Sequence, residues 1–360
     1  MKDIYISDNR NSGGYRDVYS DSSGIPQNTL RDRDGNPISV QGPPDMPPGK
    51  KKKKKRKKSA FGRIVKALIA VFVIVTVLIS VIAGSADYTK VNLKRNAYTS
   101  AGQLHNNPFI TNILLIGTDE EFGSSSRSDS MILMSLDFIH RKIKLTSFLR
   151  DCYVEIPSLN KKMKINAACS NGGAQLVCDT IEYNFGIDID HYLKVDFDMF
   201  TKIIDNLGGI DVEISEKEAE FINRTTRYTV KSGDSVHLPG AEALVYARIR
   251  KLDSDYMRTF RQRKIISALI DKMKHSGPAT IINAFKDVLP LIETDLNALE
   301  ITSTVYKGGI AALFFDIVQT QMPKEEMMTT GYAGSIWVEF PELDECRDYL
   351  YRFIYKNTAE

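Results

Sequence analysis

Cysteine and histidine are scarce in this chain and follow no ligand pattern. Four cysteines (Cys152, Cys169, Cys178 and Cys346) and five histidines are scattered over 360 residues. No C-x-x-C pair occurs, and no spacing suits a zinc-type ligand set. So few cysteines make no disulfide framework; one local Cys169–Cys178 bridge and a set of small buried thiols both stay open. A Walker loop, a G-x-S-x-G elbow and an H-E-x-x-H pair are all missing, so the chemistries they serve lack support. No internal repeat is visible. Charge is nearly balanced at +3, so the whole-chain charge points to no particular partner.

Charge is absent altogether from Ala67 to Ala86, a run of twenty residues, "ALIAVFVIVTVLISVIAGSA". As a helix this run spans about 30 Å, the thickness of a bilayer core. It follows nine consecutive cations at 50–58. A buried helix in a soluble protein fits poorly with an all-round apolar run carrying that flank. A cleaved signal peptide fits poorly with the long segment before it. The expectation is a signal anchor over 64–86. The lysine run holds the N-terminus in the cytoplasm and places the remainder outside the plasma membrane. Beside a span, topology control and anionic lipid account for that run, so no nucleic-acid partner is expected.

Residues 1–58 form a Ser-, Asn-, Gly- and Pro-rich segment with a polybasic end, whose composition predicts a disordered cytoplasmic tail. Residues 87–109 are polar and without period, an extracellular connector. From 110 the pattern changes. "NILLIG", "SMILMSL" and "KIKLTSF" read as buried strands, and "YVEIP" as a fourth. Ala167–Tyr183 reads as a helix weakened early by "NGG". "HYLKVDF" and "GIDVEI" are strand-like, 198–209 is a short helix, "LPGAEALVYAR" opens another, and Arg261–His275 is helical by its apolar spacing. Beyond Gly277 the pattern is helical to about residue 320, with a strand at "SIWVEF" and a closing helix near 345–355. Strands alternating with helices define an α/β class, a layered α/β/α sandwich on a central mixed sheet. The expected domain covers 110–277, with 278–360 completing it.

Three polar clusters fall where elements end. "GTDEEFGSSSRSD" (117–129) holds Asp119, Arg127 and Asp129 between two strands. Its carboxylates suit a Mg²⁺ that keeps water and substrate phosphate in its shell, and they equally suit loop capping. "LRD" (149–151) brings Arg150, otherwise an ordinary surface ion pair. "YARIRKLDSDYMRTFRQR" (246–263) holds five arginines and two aspartates. In an extended segment Arg248 and Arg250 project to one side, and Arg258 and Arg261 share a helix face. Guanidinium forks match phosphate oxygens in a way ammonium does not. Converging arginines with a carboxylate-bound metal would make a pyrophosphate site.

These motifs, with "KINAACSNGG" and "IDIDHYLKVDFDMFTKIIDNLGGIDVEI", resemble in order the LytR–CpsA–Psr family of cell-wall proteins over roughly 110–275. The resemblance implies a membrane-anchored phosphotransferase. It would move a phosphate-linked glycopolymer (teichoic acid, capsule or similar) from a polyprenyl-pyrophosphate carrier to peptidoglycan, with Mg²⁺ or Mn²⁺. By motif the metal ligands would be Asp119 and Asp129. Pyrophosphate would be held by Arg127, Arg150, Arg248, Arg250 and Arg258, with Arg261 and Gln262 beside them. Arg150, Arg248, Arg250 and Asp255 are the catalytic candidates, with Asp253 and Asp255 either orienting arginines or accepting the hydroxyl proton. Leu149, Cys152 and Met257 depart from the family's usual Pro, Thr and Gly. The alternative is a non-catalytic polyprenyl-phosphate-binding or regulatory envelope protein of the attenuator type, which needs the arginines but not the metal carboxylates.

Overall fold

The structure is a computed structural model that describes residues 60–119, 127–250, 252 and 254–358, without the side chains of 60–68, 71, 72 and 101. The expected tail and lysine run, and Asp253, lie outside the described residues. Helix α1 (Ala60–Ser85) and the short strand β1 (Thr89–Lys90) lead into β2 (Ile110–Thr118), β3 (Ser128–Asp137) and β4 (Lys142–Phe148). A small hairpin, β5 (Tyr153–Ile156) and β6 (Lys161–Lys164), precedes α2 (Ala167–Phe185). Next come β7 (His191–Val195), α3 (Phe197–Asn206), β8 (Ile210–Ile214), α4 (Glu216–Thr225), β9 (Gly233–Leu238), α5 (Gly240–Ala247) and the long α6 (Asp255–His275). The chain closes with α7 (Pro278–Val288), β10 (Glu293–Thr294), α8 (Ala298–Phe314), β11 (Asp316–Met322), the hairpin β12 (Met328–Ala333) and β13 (Ile336–Pro341), and α9 (Leu343–Tyr351).

A mixed sheet of order β1-β10-β7-β2-β3-β4-β11 carries these elements. β2, β3 and β4 are mutually antiparallel, while β7 joins β2 and β11 joins β4 in parallel. Both faces of the central strands are buried, which is why their sequences read as continuous apolar runs. Ile113, Ile132, Leu136, Ile143 and Leu145 pack with Ile270 of α6 and Ala311 of α8. Leu114, Ile116, Met131, Leu133 and Phe148 pack with Leu176 and Ile181 of α2 and Leu350 of α9. Helices thus cover both faces of a mixed sheet. α3, α4 and α5 with β8 and β9 enclose a second apolar cluster around Ile204, Ile222 and Tyr246, and Ile265 of α6 joins it.

Several expectations need correction. "YVEIP" is a strand, but it pairs only with β6 and lies outside the main sheet. The helical pattern after Gly277 breaks twice. Residues 289–297 interrupt it, and 316–322 is strand β11, where pairing to β4 over seven residues overrides local preference. α6 begins at Asp255 rather than Arg261, because the Ser254 side chain caps it by accepting from the Met257 amide. The weak point in α2 is real: Gly172 and Gly173 leave helical geometry, Gly173 at φ 64°. All four cysteines are buried, unpaired thiols.

The expected span is helical over Ala60–Ser85. Among the described residues, however, no helix is long and apolar enough to cross a membrane. The described part of α1 shows one docked stripe. Ile79 and Ala83 are buried, and Ala83 packs with Leu289, Leu296 and Ile301. Ile69, Val73, Ile74, Val77 and Val81 are exposed.

A buried ion pair ties the sheet to the C-terminus. Lys144 and Asp137, both fully buried, meet at 2.7 Å, and the Lys144 ammonium also donates to the Ile354 carbonyl at 2.7 Å. Burial alone would raise the Asp137 carboxyl. The hydrogen bonds from Lys144 and His140 outweigh it and hold that carboxyl below its ordinary value. Lys144→Met is expected to cost about 3–5 kcal/mol in urea unfolding, because it strands a buried carboxylate. The double variant with Asp137→Asn should recover part of that loss, and additive losses would contradict the coupling.

Candidate active site

The site forms where β3 begins, where β4 ends and where α5 passes to α6. The β2–β3 ladder ends irregularly: Gly117 pairs with Ser130 and Thr118 with Ser128, with a register shift between them. A Cβ on Gly117 would meet Ser130 Cβ at 3.2 Å, so a side chain there would press the two strands apart. The shift sets Asp129 off the regular alternation, as bulges near active sites do.

Asp129 is the hub. Its Oδ1 accepts from Arg150 Nη1 at 3.1 Å and its Oδ2 from Arg250 Nη2 at 2.6 Å. Its carbonyl accepts from Arg258 Nη2 at 3.3 Å. Asp255, in the first turn of α6, accepts from Arg258 at 3.0 Å and lies 3.6 Å from Arg150 Nε. Asp151 approaches Arg150 Nε at 3.4 Å and holds Lys164 at 2.6 Å. Arg150 is delivered by a turn in which the Leu149 amide donates to the Met322 carbonyl at 2.8 Å. A proline in place of Leu149 would lack that donor, so the departure from the family pattern has a structural use here.

The electrostatics follow from this geometry. Burial pulls Arg150 down, but Asp255, Asp151 and Asp129 together raise it above its ordinary value. Arg258 is 1 % exposed. Burial, with repulsion from Arg150 and Arg250, lowers it to about 10, against the attraction of Asp255 and Asp129. It stays a cation at neutral pH, yet among the described residues its Nε and Nη1 have no hydrogen-bond partner. Burial raises the Asp255 carboxyl, with Arg258 and Arg150 opposing. A buried guanidinium with half its fork empty is costly unless an anion fills it.

The remaining expected residues divide. Gln262 faces the site and accepts from Ser130 Oγ at 3.1 Å. Asp119 follows β2 and Arg127 precedes β3; both are exposed at the mouth of the cluster's first strand pair. Arg248 is exposed and stacks on the Phe197 ring at 4.3 Å, apart from the Asp129 hub. Arg261 turns away: its Nε binds Glu218 of α4 at 2.7 Å, and its Nη1 donates to the Ile249 carbonyl at 3.4 Å. Asp151 comes with the "LRD" cluster as a partner of Arg150, while Lys164 and Glu339 at the site's edge have no sequence signal, because tertiary contact alone brings them in. A cleft of about 860 Å³, lined by Tyr153, Tyr183, Phe340 and Arg347 among others, contains none of the expected site residues.

Fold and cluster define a class: an α/β protein that gathers several guanidinium groups, one deeply buried, around two carboxylates at the end of a mixed sheet. The chain belongs to the LytR_cpsA_psr family, whose profile matches residues 75–348. It is 33% identical over 259 residues to the polyisoprenyl-teichoic acid–peptidoglycan teichoic acid transferase TagV of Bacillus subtilis (strain 168). That match covers 66% of each protein, so the chain spans about two thirds of the length of TagV. It is also 33% identical over 255 residues to the TagU protein of the same description from Halalkalibacterium halodurans, covering 64% of this chain and 80% of that one. The crystal structure of Bacillus subtilis TagV matches with a TM-score of 0.54 at 30% identity, over 69% of this chain and 98% of that one.

The Arg261–Glu218 pair is testable apart from any activity. Burial would raise the Glu218 carboxyl, but Arg261 and Ser215 hold it below its ordinary value. A carboxylate with a lowered folded-state pKa adds stability above its unfolded pKa, about 4.3. That stability is lost as pH falls through the folded value. Arg261→Met should cost about 3–5 kcal/mol at pH 7 by urea unfolding. The penalty should shrink as pH falls below about 4, and a penalty independent of pH would remove Glu218 from the account.

Proposed function

We propose that this protein is a membrane-anchored transferase. It moves a phosphate-linked glycopolymer of the teichoic acid type from a polyprenyl-pyrophosphate carrier to peptidoglycan. The observation that carries the reading is Arg258, a buried cation with two unpartnered N–H groups beside Arg150 and Arg250. The curated descriptions of TagV and TagU as teichoic acid transferases supply the substrate class.

In the transfer, an acceptor sugar hydroxyl attacks the phosphorus and polyprenyl phosphate leaves. Negative charge grows on the equatorial and bridging oxygens, and preorganised cations there lower the barrier. Arg150, Arg250 and Arg258 supply those cations. Asp129 and Asp255 bond the guanidinium forks that substrate oxygens would take. Asp255 orients, because its carboxylate reaches both Arg150 and Arg258.

Asp119 and Asp129 are hard oxygen donors from neighbouring strand ends, a set that fits Mg²⁺ or Mn²⁺ sharing its shell with substrate phosphate. Such an ion supplies further charge neutralisation at the transferring phosphate. Asp119 and Asp129 would hold such an ion, through Asp129 oxygens that accept from Arg150 and Arg250. Among the described residues no larger metal-ligand cluster exists.

Anchoring by residues 64–86, with the N-terminus cytoplasmic and the domain outside the plasma membrane, is supported by the uncharged run Ala67–Ala86 behind nine cations.

Purified protein with a prenyl-pyrophosphate-linked teichoic acid fragment and peptidoglycan oligosaccharide tests the whole reading. Arg258→Lys keeps a charge but not the fork, and should lower kcat/KM by about 10²-fold. Asp119→Ala, which leaves the Asp129 contacts with Arg150 and Arg250 in place, should abolish transfer while the prenyl donor still binds. Chelation of divalent cations should do the same to the wild type. Transfer that survives both treatments would rule out the metal-assisted mechanism.

A further inference from the structure

The arginine cluster leaves one buried carboxyl unused, Glu339. It lies on β13, where its amide donates to the Asp151 carbonyl at 3.0 Å and its backbone bridges Cys152. The residue is 8 % exposed, and its Oε2 has no hydrogen-bond partner. The groups facing it come from four places: Asp255 from α6, Arg150 and Asp151 from the turn after β4, Lys164 from β6, and the Cys152 thiol, which burial keeps neutral. None of the cations is free to neutralise it. Lys164 is bound to Asp151, and Arg150 is shared among Asp129, Asp151 and Asp255. Burial first, then Asp255 and Asp151, push its carboxyl up to about 7, with Lys164 and Arg150 opposing.

A purely structural carboxyl at this depth would carry a partner, since an unpaired buried acceptor costs about 1–3 kcal/mol. Guanidinium groups engage the oxygens of Asp255 and Asp129, whereas among the described residues none donates to Oε2 of Glu339. The transfer also leaves one proton to be placed. We propose that Glu339 is its general base, taking the proton of the acceptor hydroxyl as that oxygen attacks the phosphorus held by Arg150 and Arg258. The new O–P bond joins acceptor and glycopolymer phosphate. The P–O bond to the carrier breaks, and its electron pair departs on polyprenyl phosphate. The proton passes from the hydroxyl to the Glu339 carboxylate and then to water. The proposal rests on the transferase reading above.

The experiment is a kcat–pH profile from pH 5.5 to 8.5 for wild type, Glu339→Gln and Glu339→Asp, with the donor and acceptor fragments already named. Wild-type kcat should fall about tenfold per pH unit below about 7. Glu339→Gln should lose about 10²-fold or more in kcat and flatten that acid limb, with donor KM and prenyl-pyrophosphate binding nearly unchanged. Glu339→Asp should keep an acid limb, displaced along the pH axis. Glu339→Gln with kcat within threefold of wild type, or with the limb retained, overturns the proposal. Should Glu339→Gln fail to bind prenyl pyrophosphate or to fold, the wild-type profile decides, and a flat profile overturns it. A wild type that binds the donor but transfers nothing at any pH overturns the transferase reading, and this proposal with it.

Discussion

Asp129 holds together a site that would otherwise fly apart. Arg150, Arg250 and Arg258 arrive from three separate segments and converge on one residue of β3. Two like charges about 4 Å apart repel by about 4 kcal/mol at the effective dielectric of a protein surface. An arginine cluster therefore needs internal anions when no substrate is present, and Asp129 and Asp255 fill that role. The site is a set of ion pairs, and on the proposed transferase reading phosphate oxygens would take guanidinium forks that carboxylate oxygens hold. The internal carboxylates do not saturate the cluster: among the described residues, Nε of Arg150 and Nε and Nη1 of Arg258 have no hydrogen-bond partner.

Which arginines gather around Asp129 is partly legible in the sequence, and the geometry that brings them there less so. Choosing guanidinium over ammonium in 246–263 pointed to planar anions. The alternation of Arg248 and Arg250 suggested side chains on one side, but α5 runs to Ala247 and Arg248 caps it at φ −102° and ψ 4°. The segment is not extended there, so Arg248 goes to Phe197 while Arg250 goes to Asp129. Arg258 and Arg261 do share a helix face by spacing, yet their long side chains part. The partner that draws Arg261 aside is Glu218, forty-three residues earlier. Periodicity places a Cα direction; it says nothing about which carboxylate waits at the far end of a side chain.

The fold shows the same division. β2, β3 and β4 were readable because burial on both faces writes an uninterrupted apolar run. β11 was not. Its residues, DIVQTQM, include an aspartate and two glutamines, and what makes them a strand is parallel pairing with β4, far away in the chain. That pairing matters to the site. β11 ends at Met322, whose carbonyl receives the Leu149 amide and so fixes the turn carrying Arg150. The motif-poor C-terminal segment also delivers Glu339 beside Asp151. A stretch without a recognisable signature thus positions Arg150 and places a buried carboxyl beside Asp151.

The proposed anchor constrains how such a site meets its substrate. α1 ends at Ser85 and β1 begins at Thr89, so three residues separate the helix from the sheet edge. The region expected as a free connector is partly bound: β1 pairs with β10, and the Asn96 amide donates to Glu182 and to the Asp179 carbonyl. Ile79 and Ala83 add a docked stripe between α1 and the globular part. A helix joined this tightly cannot serve as a long flexible tether. If α1 lies in the bilayer, the domain stands against the membrane surface in one orientation. A carrier whose prenyl chain stays in lipid then reaches the arginines only if the cluster faces the lipid headgroups.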